Sequence, residues 1–177
     1  MNEPDLLARA AAKDSAAFGA LVRMHQSALR GFLMRLTRGD GALADDLAQE
    51  TFLEAFRKIA QFRGDGSFAG WLYRIAWSRF LMQARRRREE SPEGFEEAGA
   101  MPHPEEAQLA RLDLESAMSK LALAERAALT LCLALGQSHE EAAVTLGMPL
   151  GTVKSHVLRG REKLRRLLPG WQRERVR

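Results

Sequence analysis

"SHEEAAVTLGMPLGTVKSHVLRGREKLRRLL", residues 138–168, is the stretch of the sequence that decides the fold. Ser138 followed three residues later by Glu141 is a capping-box pattern, which predicts that a helix begins there. Gly147 is the residue type that tolerates the left-handed turn at a helix end, and Pro149 can open a second helix but cannot continue the first. Two helices joined by so short a turn predict a DNA-binding helix-turn-helix.

The second helix of this motif is predicted to have one apolar and one basic side. At about 100° per residue, the apolar side gathers Val153, Val157, Gly160, Leu164, Leu167 and Leu168. The outward side includes an apolar residue, Leu158, which can contact a thymine methyl group. The residues predicted to contact DNA are Thr152, Lys154, Ser155, His156, Leu158, Arg159 and Arg161. From Lys154 to the end of the chain there are nine basic and two acidic residues, which favours an anionic partner.

The composition of the 177-residue chain excludes several other classes of protein. No apolar run approaches the roughly 18 residues of a membrane span, and the first residues lack a signal-peptide core, so a cytoplasmic protein without membrane insertion is expected. Cys132 is the single cysteine and is expected to be a buried thiol. The four histidines form no metal-ligand pattern and no phosphate-binding glycine loop is present, so we predict no catalytic residues, no metal and no cofactor.

Helical spacing extends over nearly the whole chain, and strand patterns are almost absent. Helices are predicted from Asp14 as N-cap to about Leu36, over 42–59, and over 67–87. Residues 89–110 hold seven glutamates, no lysine or arginine, and three of the six prolines, which predicts an extended, mobile connector. The expected fold is all-α, with two small helical domains at 1–88 and 110–177 joined by a flexible acidic linker at 89–109.

The predicted N-terminal domain carries two candidate binding surfaces. On the helix over 42–59, Asp46, Gln49 and Glu50 surround an outward leucine, Leu53. An apolar residue ringed by acidic and amide groups fits a basic docking partner, although single exposed leucines without function are also common.

On the helix over 67–87, three aromatic residues, Tyr73, Trp77 and Phe80, are predicted to point outward beside Arg74 and ahead of the arginines at 85–88. Exposed rings next to cations favour binding of single-stranded nucleic acid, because the rings can stack on unpaired bases. At least one of the three rings is also expected to pack against the helix over 14–38.

Two segments, "DDLAQETFLEAFRKIAQFRGDGSFAGWLYRIA" (45–76) and "EEAAVTLGMPLGTVKSHVLRGREKLRRLL" (140–168), resemble bacterial sigma factors of the extracytoplasmic-function type, a branch of the sigma-70 family. The resemblance implies a protein that binds core RNA polymerase and promoter DNA, directs promoter-specific initiation, and has an anti-sigma factor as a further partner. It implies that the helix beginning near Leu150 reads the −35 element. The residues implied to contact the clamp helices of the polymerase beta-prime subunit are Asp46, Gln49, Glu50 and Leu53. Those implied to open and read the −10 element are Tyr73, Arg74, Trp77, Ser78, Phe80, Arg85 and Arg86.

The chain departs from the pattern of that family at three positions. Ser78 and Met82 stand where an asparagine and an aspartate are common, and His156 stands where an arginine is common. For this reason no −10 sequence is predicted, and His156 is the position at which an altered or pH-sensitive −35 preference would arise. The alternative interpretation is a helix-turn-helix transcriptional regulator that binds DNA without being a polymerase subunit, but it gives no role to the surfaces predicted in the N-terminal domain.

Overall fold

The structure is a computed structural model that describes residues 2–90 and 106–168, with side chains described at 2–90 and 113–168. Within these ranges every regular element is helical, which confirms the predicted all-α class. The helices are α1 (Glu3–Ala11), α2 (Ser15–Leu36), α3 (Gly41–Lys58), α4 (Phe68–Glu90), α5 (Glu106–Ser119), α6 (Leu123–Leu129), α7 (His139–Leu146) and α8 (Leu150–Leu167). A 3-10 turn at Ile59–Gln61 follows α3, and a π-helical turn at Thr130–Ala134 follows α6. None of the helices in the described ranges has the length and apolarity needed to cross a membrane.

The chain divides into two compact units. The first unit comprises Met1–Leu33 and Ala42–Phe95, and the second comprises Met34–Gly41 and Glu96–Arg177. The ends of the stretch predicted as a connector are helical, since α4 continues through Glu90 and α5 begins at Glu106. The remainder of that stretch, 91–105, lies outside the described residues.

The first unit is organised around α2. This helix begins as predicted, because the Asp14 carboxylate accepts hydrogen bonds from the backbone N–H groups of Ala16 and Ala17 at 2.9 and 3.0 Å. Its apolar side is fully buried at Leu21, Leu29, Phe32 and Leu33. The Phe18 ring meets Phe56 of α3 edge to face at 5.0 Å, and the Phe32 ring meets Tyr73 of α4 at 5.5 Å. Helix α2 therefore packs on both α3 and α4.

Helix α1 was not predicted from the sequence. Its nine residues are capped by Asn2, whose side chain accepts a hydrogen bond from the Asp5 N–H at 3.0 Å, and they bury Leu6 and Ala10. Arg9 pairs with Asp14 at 2.7 Å and so connects α1 to the start of α2. The pairing of so short a helix with a neighbouring element supplies the stability that its own hydrogen bonds lack.

The second unit contains a buried arginine. Arg126 is fully buried within α6 and donates hydrogen bonds to the carbonyl oxygens of Ser119 and Leu121, both at 3.2 Å. Burial lowers the pKa of the Arg126 guanidinium to about 10, which leaves it charged at neutral pH. Its neighbours Ala127, Ala128 and Leu129 are also buried, so α6 is the central helix of this unit.

Candidate nucleic-acid and polymerase interfaces

The helix-turn-helix forms as the sequence predicts. Ser138 and Glu141 make a reciprocal capping box, in which Ser138 Oγ accepts from the Glu141 N–H at 3.1 Å and Glu141 Oε2 accepts from the Ser138 N–H at 2.7 Å. Helix α7 ends at Gly147, whose φ of 64° is left-handed, and α8 begins at Leu150, directly after Pro149. A three-residue turn therefore fixes the direction in which α8 leaves α7.

Helix α8 presents the predicted residues to solvent. Val153, Val157 and Gly160 are buried on its inner side. The outer face of α8 is formed by the exposed Lys154, Ser155, Leu158, Arg159 and Arg161, with Thr152 and His156 half-buried at its edges. Leu158 is 60% exposed, so a large apolar side chain lies in the middle of this face. Leu167 was predicted on the apolar inner side of this helix, and that prediction is wrong. It is 39% exposed because it is the last residue of the helix and no further turn covers it.

Polar groups on the outer face of α8 are held by the helix itself. The Ser155 hydroxyl donates to the Gly151 carbonyl at 2.9 Å, and Arg159 Nε donates to the Ser155 carbonyl at 3.3 Å. An Arg159 amino group also lies 3.4 Å from His156 Nδ1. An arginine can only donate, so this contact is a hydrogen bond only in the tautomer of His156 whose Nδ1 carries no proton. The two arginine bonds are long, so Arg159 can exchange them for phosphate or base oxygens without a large loss.

Helix α8 is seated closely on α6. Gly160 faces α6 at Leu129, where a side chain would have no space. Lys163 Nζ contacts both carboxylate oxygens of Glu125, at 2.9 and 2.8 Å, and the Glu125 side chain is only 5% exposed. Burial alone would raise the pKa of Glu125, but hydrogen bonds from Lys163 and from the Ala122 N–H outweigh it and lower that pKa. These contacts fix the orientation of the outer face of α8.

Helix α3 presents an acidic outer face with an apolar centre. This outer face of α3 consists of the four residues predicted from the sequence, Asp46, Gln49, Glu50 and Leu53, and all four are exposed. Leu53 is 49% exposed. The opposite side of the helix is buried at Ala44, Thr51 and Ala55. The Thr51 hydroxyl donates to the Leu47 carbonyl at 2.7 Å, which satisfies it inside the core.

The outward orientation predicted for three aromatic residues of α4 is wrong. Tyr73, Trp77 and Phe80 are only 5, 5 and 7% exposed. Tyr73 packs on Phe32 of α2, as was expected for at least one of the three, and Trp77 stacks on Phe80 at 6.1 Å between ring centres. Burial raises the pKa of the Tyr73 phenol. The physical reason is that α4 is covered on more than one side, so its buried arc is wider than a single helical stripe.

The exposed side of α4 is cationic and apolar rather than aromatic. This outer face of α4 consists of Arg74, Ser78, Leu81, Met82, Arg85 and Arg86. Leu81 and Met82 are 42 and 56% exposed, and neither was predicted as a binding residue. Helical periodicity could have predicted their exposure, because positions 74, 78, 81, 82 and 85 fall within about 100° of arc on one side of the helix.

Arg79 of α4 was also missed. Its guanidinium pairs with Glu54 and lies near Glu50, both on α3. On a helical wheel Arg79 falls close to Phe68 and Leu72, on the inner side of α4, where an arginine is not expected without a partner. The carboxylates on α3 supply that partner.

A helix-turn-helix with an exposed basic second helix defines a DNA-binding protein, and comparisons with known proteins specify which kind. Residues 21–90 match the sigma-70 region 2 family, and residues 111–164 match the sigma-70 region 4 family. The chain is 41% identical over 153 residues to the ECF RNA polymerase sigma factor SigE of Mycolicibacterium smegmatis, with 82% of this chain and 59% of that protein covered. It is 35% identical to the RNA polymerase sigma-H factor of Pseudomonas aeruginosa, with 98% of this chain and 97% of that protein covered.

Comparison with solved structures leads to the same family. The sigma factor RpoE of Bartonella quintana, in complex with the anti-sigma factor NepR, matches with a TM-score of 0.78 at 32% identity, covering 86% of this chain and 96% of that chain. CnrH, in complex with the cytosolic domain of CnrY, matches with a TM-score of 0.69 at 32% identity, covering 93 and 96%. The chain belongs to the sigma-70 family, as a sigma factor of the extracytoplasmic-function type. It is a factor that directs promoter-specific transcription, and the alternative of a regulator independent of polymerase is not favoured.

Proposed function

We propose that this sigma factor uses three separate faces, one for core RNA polymerase and two for promoter DNA. The observation that carries the proposal is the outer face of α3, where Asp46 and Glu50 flank the exposed Leu53. DNA would be repelled by such a face, so it fits a basic protein surface instead. A regulator that only binds DNA has no use for it.

The outer face of α3 is proposed to bind the clamp helices of the polymerase beta-prime subunit. Leu53 is the apolar anchor, and the surrounding Asp46, Gln49 and Glu50 provide charge and hydrogen bonds at its rim. This is the usual anatomy of a protein interface, in which an apolar centre is shielded from water by polar neighbours.

The outer face of α8 is proposed to read the −35 element. Its cations, Lys154, Arg159 and Arg161, are exposed and can pair with phosphates or donate hydrogen bonds to the N7 and O6 atoms of guanine edges. Leu158 is proposed to contact a thymine methyl group, since it is the large apolar side chain in the middle of this face. Ser155 and His156, whose side chains are shorter, are proposed to make further polar contacts with the DNA. Thr152 lies at the N-terminal end of the helix and belongs to the same face.

The outer face of α4 is proposed to capture the unpaired −10 bases. Ser78 offers a hydroxyl, Leu81 and Met82 offer apolar contact to base faces, and Arg74 and Arg85 offer cations for the backbone. Apolar side chains such as leucine and methionine serve at other DNA interfaces as wedges against unstacked bases. The buried Tyr73, Trp77 and Phe80 are not included in this face, and they are proposed to support it from beneath.

The chain is proposed to work without catalytic residues or a cofactor, since synthesis of RNA belongs to the polymerase. Because core polymerase and the chromosome are in the bacterial cytoplasm, this is the proposed location. An anti-sigma factor is the third proposed partner. The similar sigma factor RpoE was solved in complex with the anti-sigma factor NepR, and the similar protein CnrH was solved in complex with the cytosolic domain of CnrY.

The test is transcription by core polymerase supplemented with the purified chain on genomic DNA, with the 5′ ends of the transcripts mapped. Defined start sites that share two upstream elements would support the proposal. No stable complex with core polymerase, or no defined start sites, would refute it.

Matched variants separate the faces. Leu53→Asp should abolish core binding, while Met24→Asp, which alters a residue of similar exposure (53%) on α2, should not. The double variant K154A/R159A should reduce initiation that depends on the −35 element and keep core affinity. Its control, K120A/R166A, also removes two exposed positive charges from the second unit and should have a smaller effect. Equal loss of core binding and initiation in K154A/R159A would contradict the assignment.

A further inference from the structure

Arg79 connects α4 to two carboxylates on α3. Its Nε donates a hydrogen bond to Glu54 Oε2, and its NH1 lies 3.8 Å from Glu50 Oε2. The other Glu54 oxygen, Oε1, accepts from Lys58 Nζ at 2.5 Å. Each oxygen of Glu54 therefore has a cation, and Arg79 spans two acidic residues that are one helical turn apart.

The Arg79–Glu54 contact is largely shielded from water, whereas Glu50 is exposed to it. The side chains of Glu54 and Arg79 are 17 and 29% exposed, whereas that of Glu50 is 55% exposed. Burial alone would raise the pKa of Glu54, but the hydrogen bonds from Lys58 and Arg79 outweigh it and lower the pKa. A charge-assisted bond to a shielded carboxylate is stronger than a typical surface ion pair, so the Arg79–Glu54 contact can hold two helices in register.

Arg79 also stands between the two proposed binding faces of this unit. Glu50 belongs to the outer face of α3. On α4, Ser78 directly precedes Arg79 and Met82 follows it by about one turn, and both belong to the outer face of α4. One side chain is thus in contact with a residue of the first face and adjacent to residues of the second.

We propose that Arg79 is a positioning residue that holds the outer face of α4 in a fixed register with the outer face of α3. The inference rests on the proposed function, in which α3 docks on polymerase and α4 captures unpaired bases. Polymerase-bound α3 then fixes, through Arg79, where Ser78 and Met82 meet the −10 bases. Arginine suits this role better than lysine, because its planar fork can address two acceptors at once.

The experiment uses holoenzyme assembled from the full chain and core polymerase, on a promoter that the wild-type chain transcribes in the mapping experiment. Three variants are compared with wild type: R79M, the double variant E54M/R79M, and the control R57M, which removes an exposed cation from α3. Two quantities are measured for each. One is affinity for core polymerase, and the other is the rate at which −10 thymines become reactive to permanganate.

We expect R79M to slow opening about fivefold and to change core affinity by less than about twofold, consistent with loss of a shielded charged contact. R57M should open the promoter at the wild-type rate. E54M/R79M should stay slow, because it also lacks the connection and does not leave Glu54 with Lys58 as its single cation. This double variant also provides the comparison if R79M alone does not fold.

Three results would overturn the positioning role. These are a wild-type opening rate in R79M, recovery of the rate in E54M/R79M, and an equal loss of core affinity and opening, which would indicate a general loss of structure. In each of these cases the wild-type holoenzyme still transcribes, so the proposed function stands. If the wild-type chain itself drives no transcription, the proposed function fails and the role of Arg79 fails with it.

Discussion

Replacement of Gly160 by alanine tests how closely α8 is seated on α6. The added Cβ would lie 2.6 Å from Leu129 Cδ1 and 3.1 Å from Leu129 Cγ. Non-bonded carbon atoms rest at about 3.5–4.0 Å, so the shortest contact falls short by roughly 1 Å. Leu129 is 2% exposed and has little space to turn into. Either α8 moves away from α6 or Leu129 leaves its preferred rotamer.

The magnitude follows from two opposing terms. Overpacking a close contact costs about 1–3 kcal/mol, whereas alanine favours a helix over glycine by about 1 kcal/mol. The net expectation for G160A is a loss of up to about 2 kcal/mol in the free energy of unfolding. Gly151, in the same helix, is the matched control, because its added Cβ would meet nothing within 4 Å. G151A is expected to be neutral or to stabilise by at most about 1 kcal/mol.

The assay is urea unfolding of the full chain followed by far-UV circular dichroism, with hydrogen exchange at α8 amides to assign the change to the second unit. Shortening the neighbour supplies a second check. The substitution Leu129→Val should cost less in the G160A background than in wild type, with a coupling energy of about 0.5–3 kcal/mol. The steric reasoning is refuted if G160A is as stable as G151A, or if the two substitutions are additive.

Three further predictions concern charges and caps. Lys163→Met removes the cation from the buried Glu125 and should cost about 2–3 kcal/mol in urea unfolding, with partial recovery in E125Q/K163M; an unchanged midpoint would contradict it. Ser138→Ala removes the acceptor of the capping box and should cost about 1 kcal/mol, seen as faster hydrogen exchange in α7 and absent in the exposed-site control S116A. The pKa values of Glu54 and Glu125 are lowered by folding, so their contribution is full above about pH 4.3 and is lost as the pH falls through the folded values. Stability should therefore decline below about pH 4.3, and E54Q/E125Q should flatten that decline; an equally steep decline in the variant would count against it.

The helix-turn-helix could be predicted from the sequence because its signals are local. A capping box at Ser138, a left-handed glycine at 147 and a proline at 149 each dictate backbone conformation within a few residues. The inner side of α8 follows from helical periodicity, and it is confirmed at Val153, Val157 and Gly160. The outer face of α3 was predicted for the same reason, since one side of that helix is uniformly small or apolar.

Burial that depends on several partners could not be predicted from the sequence. The same aromatic residue types bind bases in some proteins and fill the core in others, so the sequence does not distinguish the two roles. A helical wheel also cannot show that α4 is covered on more than one side. Tyr73 is buried because Phe32 of α2 lies against it, 41 positions away in the sequence. The buried Arg126 was likewise not anticipated, because one of the carbonyl groups that accept its hydrogen bonds is that of Leu36, 90 positions away in the sequence.

The corrected outer face of α4 changes how the proposed capture of −10 bases would be stabilised. Aromatic stacking contributes about 1–3 kcal/mol per base, and Tyr73, Trp77 and Phe80 are too deeply buried to supply it. Leu81 and Met82 can provide only apolar contact, which does not have the same stacking geometry. Under this proposal the open promoter depends more on the cations of α4, on the proposed −35 contact through α8, and on polymerase itself. Cationic contacts release counterions, so promoter binding should weaken steeply as the salt concentration rises. Free protein should bind promoter DNA weakly, because it lacks the contribution of polymerase.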